Sequence, residues 1–341
     1  MSKILVTGGL GYIGSHTVVE LVNAGYEPVI VDDLSNSQHG ILNQLTKILG
    51  FKPAFHQFDL CDEQKLKAFA ASEPDIEGII HFAAFKAVGE SVQKPLKYYH
   101  NNLSSLVNLL NVYSGKVVSF VFSSSCTVYG QPDELPVTED APIKPAQSPY
   151  GNTKQIAEEI LRDAITSGDA KKVIALRYFN PVGAHESALI GELPIGVPQN
   201  LVPFITQTAI GKRQKITVFG NDYNTKDGSC VRDYIHVVDL AKAHVAALKL
   251  MGHDNFSGYD VFNLGTGKGN TVLEVIYAFE KATGVKLNYE IGPRRSGDVE
   301  QVWGDVTKSA KGLHWQAELG LGTMMSSAWA WEQYLSQNPL K

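Results

Sequence analysis

Tyr150 and Lys154 stand four residues apart just after Ser148-Pro149, and Ser123-Ser124-Ser125 closes an apolar run upstream. On a helix that spacing puts phenol and ammonium on one face about a turn apart, close enough for the charge to bear on the phenol. A phenol titrates at about 10, so it works as a base at neutral pH only if neighbouring positive charge favours its phenolate. Ser125 adds a hydroxyl able to relay or orient a proton. The chemistry would be proton removal from a substrate hydroxyl. Taken alone, a Tyr and a Lys so spaced also fit a solvated helix face; their position in the chain argues for more.

That position is set by the first residues. Lys3-Ile-Leu-Val-Thr7 is a short apolar run, followed by Gly8-Gly9-Leu10-Gly11-Tyr12-Ile13-Gly14, apolar residues at helical spacing to Gly25, and Val29-Ile-Val31 ending on Asp32. Strand, glycine loop, helix, strand and acid in one unit predict a dinucleotide site. The glycines make a tight turn, admit a pyrophosphate to the backbone and let helix pack on strand, with Tyr12 and Ile13 opening the helix whose positive end faces the anion. Asp32, followed by Asp33, can accept from a ribose 2′-hydroxyl and would repel a 2′-phosphate. No Arg or Lys lies beside it, so NAD is expected rather than NADP.

The elements that must position these residues come from an ordinary soluble composition: 341 residues, 44% hydrophobic and 19% charged. The formal net charge of −5, with scattered Lys and Arg, gives no footprint for nucleic acid. No apolar run approaches a membrane span and no apolar signal core precedes the first strand, so a cytoplasmic location is expected. Cys61, Cys126 and Cys230 are far apart, which suits a reducing compartment. No His, Cys or acid cluster has metal-ligand spacing, so no metal is expected.

Strand and helix patterns alternate onward: helix over 37–49, strand 53–58, helix 62–72, strand 77–82, an interrupted helix 87–113, strand 117–122, helix from Pro149 to about 168 and strand 173–178. This predicts an α/β fold, a doubly wound parallel (Rossmann) sheet. Ligands of such sheets lie beyond the carboxyl ends of the strands, where Asp59, Leu60, Phe82, Ala83 and Ala84 fall. The Pro-rich stretch 132–149 is too long for a simple connector and reads as a covering segment. Beyond about 184 the strands shorten, predicting a smaller mixed α/β C-terminal lobe. The boundaries expected are 1–183 for the nucleotide domain and 184–341 mainly for the lobe, with about 233–265 returning to the first domain. Helices are expected over 233–250 and 270–283. Gly265-Thr-Gly267-Lys268-Gly269 lacks P-loop spacing and reads as a turn. Met324, Ala328, Trp331 and Leu335 form one core-facing stripe.

Thr7-Gly-Gly-x-Gly-Tyr-Ile-Gly14, the serine-rich strand end, Tyr150-x-x-x-Lys154 and Tyr178-Phe-Asn-Pro181 together resemble the extended short-chain dehydrogenase/reductase family. Lys86-Ala-Val-Gly-Glu-Ser91, Arg177 to Ala184, Val231-Arg-Asp-Tyr-Ile-His-Val237 and Pro293-Arg-Arg-x-Gly-Asp298 are similar to its UDP-sugar C4 epimerases, over nearly the whole chain. The resemblance implies reversible epimerisation of UDP-glucose and UDP-galactose through a 4-keto sugar, with NAD retained. Tyr150 would be the base, Ser125 the relay, and Lys154 the charge beside the phenol and the anchor of the nicotinamide ribose. It adds Asn36, Ser37, Lys86, Asn101 and Phe179 to the cofactor side. On the substrate side it implies Arg232 and Arg295 for the diphosphate and Asp298 for a ribose hydroxyl. Asn180, Asn200 and Leu201 would serve the phosphates and uracil, and Lys86, Tyr178, Phe219 and Val302 would join them. For any one of these, a surface ion pair or packing contact is the alternative. A homodimer through the helices near 87–113 and 149–167 is also implied.

Two departures carry meaning. Related dehydratases hold an Asp-Glu pair where this chain has Cys126-Thr127, which cannot eliminate water at neutral pH. Val302 stands where the epimerases this chain most resembles have a tyrosine walling the sugar pocket, so UDP-N-acetylglucosamine and UDP-N-acetylgalactosamine are expected to fit as well. The competing readings are an NAD-dependent nucleotide-sugar oxidoreductase or dehydratase, and a non-catalytic NAD-sensing regulator. The last would have no use for Ser125, Tyr150 and Lys154 together.

Overall fold

The computed structural model describes residues 1–117, 119–295 and 299–340. Its first half alternates strand and helix, with two successive helices between β4 and β5: β1 (Lys3–Thr7), α1 (Tyr12–Asn23), β2 (Glu27–Val31), α2 (Gly40–Leu49), β3 (Ala54–His56), α3 (Glu63–Ser72), β4 (Ile76–His81), α4 (Val88–Gln93), α5 (Pro95–Tyr113), β5 (Ser119–Ser125), α6 (Pro149–Ser167) and β6 (Lys172–Tyr178). The second half holds β7 (Asn180–Val182), α7 (Leu201–Ala209), β8 (Ile216–Phe219), β9 (Val231–His236), α8 (Val237–Gly252), β10 (Gly258–Leu264) and β11 (Gly269–Thr271). It ends with α9 (Val272–Thr283), β12 (Tyr289–Gly292), β13 (Gln301–Val302), α10 (Thr307–Gly312) and α11 (Leu321–Gln337).

The main sheet is seven strands in the order β10-β6-β5-β4-β1-β2-β3, every pair parallel. Ile4, Leu5 and Val6 are all buried because each face is covered, which is why these strands read as continuous apolar runs rather than alternating ones. Val18, Leu42 and Leu240 from α1, α2 and α8 pack on one face, and Leu66, Leu106 and Leu161 from α3, α5 and α6 on the other. The strand order reverses between β1 and β4, and the ends of β1, β4, β5 and β6 bring Thr7, His81, Ser125 and Tyr178 to one edge, where such sheets bind ligands.

The lobe has its own core, joining Val202 and Ile205 of α7, Val275 and Phe279 of α9, and Met324 and Ala328 of α11. Trp331 packs into the main core with Leu335 partly buried against it, so the α11 stripe is a packing face. β9 pairs with β7, β11 and β13 in a small sheet, while α8 packs on α1 and β10 returns to the large sheet. The helix expected over 233–250 therefore begins late. Asp233 to His236 complete β9, and α8 starts at Val237 behind a cap in which His236 Nδ1 accepts from Val238 N at 3.1 Å. The 132–148 segment covers this junction: Val137 N donates to Trp303 O at 3.0 Å and Glu139 accepts Asn263 N at 2.7 Å. No helix among the described residues is long and apolar enough to cross a membrane.

Candidate active site

Gly8 takes φ +67°, and a side chain there would press within 2.9 Å of Ala83 N; a Cβ at Gly14 would sit 2.3 Å from Gly8 O. The loop thus folds onto β4 and the first turn of α1 at once. Gly11 starts that helix with no side-chain cap and no acid in its first turn, so its positive end is left to an anion. Asp32, 6% exposed, accepts Leu10 N at 3.0 Å through one oxygen and Leu34 N at 2.9 Å and Ser37 Oγ at 2.7 Å through the other. Burial pushes its carboxyl up, while Ser37, Leu34 and Leu10 hold it down. Asp33 turns away onto Ser35, Asn36 is exposed beside it, and Asp59 is exposed with its carboxylate on Cys61 N. A narrow glycine cradle, an uncapped helix start and a buried acceptor suit a dinucleotide's pyrophosphate and ribose.

Across the switch point, Leu60 is buried, Phe82 stacks near His244, and Ala83 N donates to Thr7 Oγ1 at 3.3 Å. Ala84 lies on the same turn, and Asn101 donates to Asn102 Oδ1 at 3.1 Å.

Ser148 caps α6, its Oγ accepting Gly151 N at 3.1 Å, and Pro149 occupies the first turn, so Tyr150 enters the helix facing the end of β5. There Ser125, whose Oγ accepts Thr127 N at 3.2 Å, lies near enough to the Tyr150 phenol to favour its ionised form. Lys154, 4% exposed, donates to Ser123 O at 2.7 Å and lies 5.9 Å from the centre of the Tyr150 ring. The expected lowering of the phenol by Lys154 is not found in the chain by itself. Burial pushes Tyr150 up to about 12, partly opposed by Ser125, and burial pushes Lys154 down to about 7, opposed by Glu158. The ammonium is engaged by the Ser123 carbonyl and is not a direct hydrogen-bond partner of the phenol.

Tyr178 is turned inward: its hydroxyl bonds Ser123 Oγ, and the ring sits in the main core near His244. Phe179, Val302, Val128, Tyr129 and Val137 form one buried cluster beside the Cys126–Tyr129 turn, with Cys126 packed against it. Burial pushes the Cys126 thiol up to about 12, so this position cannot serve as an acid–base pair near neutrality.

The lobe supplies the remaining groups. Arg232 stands opposite Val302 in the β9–β13 pairing and donates to Val231 O at 2.8 Å. Arg295 lies over the Phe219 ring at 5.5 Å. Asn180 is half-buried on β7, and Asn200 precedes Leu201 at the start of α7. Asp298 lies outside the described residues.

Two carboxylates escaped the sequence reading. Glu192 holds Asn200 Nδ2 at 2.6 Å and Lys86 Nζ at 3.5 Å, joining a loop of the first half of the chain to the second half. Nothing local marks it, because its partners are 8 and 106 residues away. Asp233 is wholly buried and takes Thr266 N at 2.8 Å, Thr266 Oγ1 at 2.7 Å and Gly267 N at 3.1 Å, fastening the 265–269 glycine turn behind Arg232. No group of acids, histidines or cysteines among the described residues could hold a metal ion.

A family model described as GDP-mannose 4,6 dehydratase matches residues 5–328. UDP-glucose 4-epimerase of Bacillus subtilis is 51% identical over 332 residues, 96% of each chain. The crystal structure of the Stenotrophomonas enzyme of that name, with bound NAD and formylated UDP-arabinopyranose, superposes with TM-score 0.94 at 45% identity over 99% of both chains. The UDP-Glc/GlcNAc 4-epimerase of Campylobacter jejuni does so with TM-score 0.83 at 39% identity, over 98% of this chain and 99% of that one. The dehydratase model thus spans a fold shared with enzymes whose Asp-Glu pair this chain lacks, while the relatives alike along their whole length are epimerases: the chain belongs to the UDP-glucose 4-epimerase family.

Proposed function

We propose that this protein interconverts UDP-glucose and UDP-galactose at C4, with NAD held throughout. One observation carries the reading: Lys154 of α6 holds the Ser123 carbonyl at 2.7 Å, two residues before Ser125 at the end of β5, with the Tyr150 ring centre 5.9 Å away, on the same sheet edge as the end of β1. The chemistry supplied by bound NAD is reversible uptake of hydrogen from an unactivated sugar carbon. Gly8, Gly11 and Gly14 would admit its pyrophosphate, and Asp32 its ribose. Tyr150 takes the proton of the 4-hydroxyl and later returns it, Ser125 orients that hydroxyl, and Lys154 adds a positive charge nearby. Arg232 and Arg295 suit bidentate contacts to the diphosphate. Cys126-Thr127 argues against dehydration, since a thiol held at about 12 by burial gives up no proton to the solvent.

Val302 supports a wider sugar pocket that takes N-acetylated UDP-hexosamines too. Val88, Val92 and Leu96 are left exposed on α4 and α5 and support pairing of two copies there. Three free cysteines support a reducing, cytoplasmic setting. The deciding assay incubates the purified protein with UDP-glucose and no added NAD. UDP-galactose should form with no free NADH; accumulation of NADH would make it a net oxidoreductase instead.

A further inference from the structure

α6 carries a third polar residue on the face of Tyr150 and Lys154. Glu158 lies one turn beyond Lys154 and is 2% exposed, and its carboxylate is saturated. Oε1 accepts Ser124 Oγ at 2.6 Å and Arg177 Nε at 2.9 Å, while Oε2 accepts Arg177 Nη2 at 2.6 Å and Arg162 Nη2 at 3.2 Å. Arg177, 1% exposed, packs its guanidinium 4.8 Å over the Tyr129 ring and donates to Glu139 O at 3.3 Å.

These bonds fall on the elements that carry the reacting groups. Ser124 sits between Ser123, whose carbonyl takes Lys154, and Ser125; Arg177 directly precedes Tyr178, whose hydroxyl bonds Ser123 Oγ. Stability alone does not account for the arrangement. Removing two charges from water costs as much as their attraction returns, and an apolar pair of similar volume would hold three elements together as well. What an apolar pair could not do is fix β5 against α6 by directed bonds. We propose that the buried Glu158–Arg177 pair is a positioning element for the reaction, acting through Ser124 to keep Ser125 and Lys154 in register with Tyr150. The inference rests on the reading of those three as the reacting groups.

The pair also sets the charge around Lys154. Glu158 is the acid facing it. From β4, His81 faces it as a neutral ring, pushed down to about 3 by burial, and Tyr150 and Tyr178 face the same space as un-ionised phenols. Removing the Glu158 charge should therefore let Lys154 lose its proton at lower pH.

The experiment uses the full-length, NAD-loaded protein with UDP-glucose. Ser124→Ala and Glu158→Gln should lower kcat by about tenfold or more with KM changed by less than about threefold, the signature of misplaced groups. The alkaline limb of kcat should move to lower pH in Glu158→Gln and stay in place in Ser124→Ala, which removes no charge. Wild-type kcat in a folded Ser124→Ala or Glu158→Gln protein, or an alkaline limb in Glu158→Gln that stays or moves to higher pH, would overturn the proposal. If Glu158→Gln fails to fold, kcat of Ser124→Ala decides. Failure of the functional reading looks different: the wild-type protein would not turn over, or Tyr150→Phe would keep turning over.

Discussion

The Lys154 ammonium donates to the carbonyl of Ser123 at 2.7 Å and stands 5.9 Å from the centre of the Tyr150 ring. A carbonyl that holds the ammonium also fixes where its charge is felt, so the lysine works as an anchored charge on a strand end and does not exchange a proton with the phenol directly. Tyr150→Phe removes the hydroxyl and little else. Turnover should fall about 10²–10⁴-fold, with NAD content and thermal midpoint unchanged, as measured by UDP-galactose formation and cofactor absorbance. Near-normal turnover would take Tyr150 out of the mechanism.

Burial holds the Tyr150 phenol at about 12 in the protein chain alone. Any positive charge brought beside it favours the phenolate, so its ionisation should move to lower pH in NAD-loaded protein than in protein stripped of NAD. Phenolate absorbance against pH, taken as the difference from Tyr150→Phe, reads this directly. Equal midpoints in the two forms would mean that the phenol is not neighboured by the cofactor's charge.

The glycine cradle makes a steric prediction. A methyl at position 14 would lie 2.3 Å from Gly8 O and 2.8 Å from Gly9 Cα, both backbone atoms that cannot swing aside. Gly14→Ala must push the loop from α1, and the protein should purify with its NAD content reduced several-fold. Gly25, at φ +83° with open space around it, is the control: alanine there meets no atom, so NAD content should stay while stability falls by about 1 kcal/mol.

Val302, buried against Phe179 and paired across from Arg232, offers a specificity test. Val302→Tyr adds a ring to a wall beside the proposed sugar pocket. Its ratio of kcat/KM for UDP-N-acetylglucosamine over UDP-glucose should drop about tenfold or more. An unchanged ratio would mean that Val302 does not border the acetyl group.

Legibility in the sequence followed the range of the forces. The parallel sheet was readable because buried strands such as Ile4-Leu5-Val6 are apolar throughout and glycine turns punctuate them. Tyr150 and Lys154 were readable because both sit on one helix with Ser148-Pro149 at its start. Asp233 was misassigned to a helix since β9 runs into α8 with no breaker between Ile235 and Val238. The Glu158–Arg177 and Glu192–Lys86 contacts join different elements, and no local pattern encodes which acid meets which base. Nor did spacing tell that Lys154 would spend its hydrogen bond on a carbonyl.

Acid sensitivity is the last consequence. Burial pushes His16 and His81 down to about 3 and His236 and His244 down to about 4, against about 6.5 in an unfolded chain. A group depressed on folding gives its full stabilisation above the unfolded value and loses it as pH falls toward the folded one. Each therefore costs up to about 1.4 kcal/mol per pH unit below about 6.5. Buried Asp32 and Asp233 are raised by burial, and they oppose this loss only where carboxylates titrate, at lower pH. The urea midpoint should thus fall steeply between about pH 7 and about pH 5.5. His244 isolates one contribution: its Nδ1 bonds Leu240 O at 2.9 Å, its Nε2 has no hydrogen-bond partner among the described residues, and its ring lies against Phe82 and Tyr178. Replacing it with Phe, an apolar ring that takes no proton, should flatten that slope by about a fifth, since burial depresses His185 as well. A midpoint that fell as steeply in His244→Phe would show that this histidine already carries its proton in the folded protein.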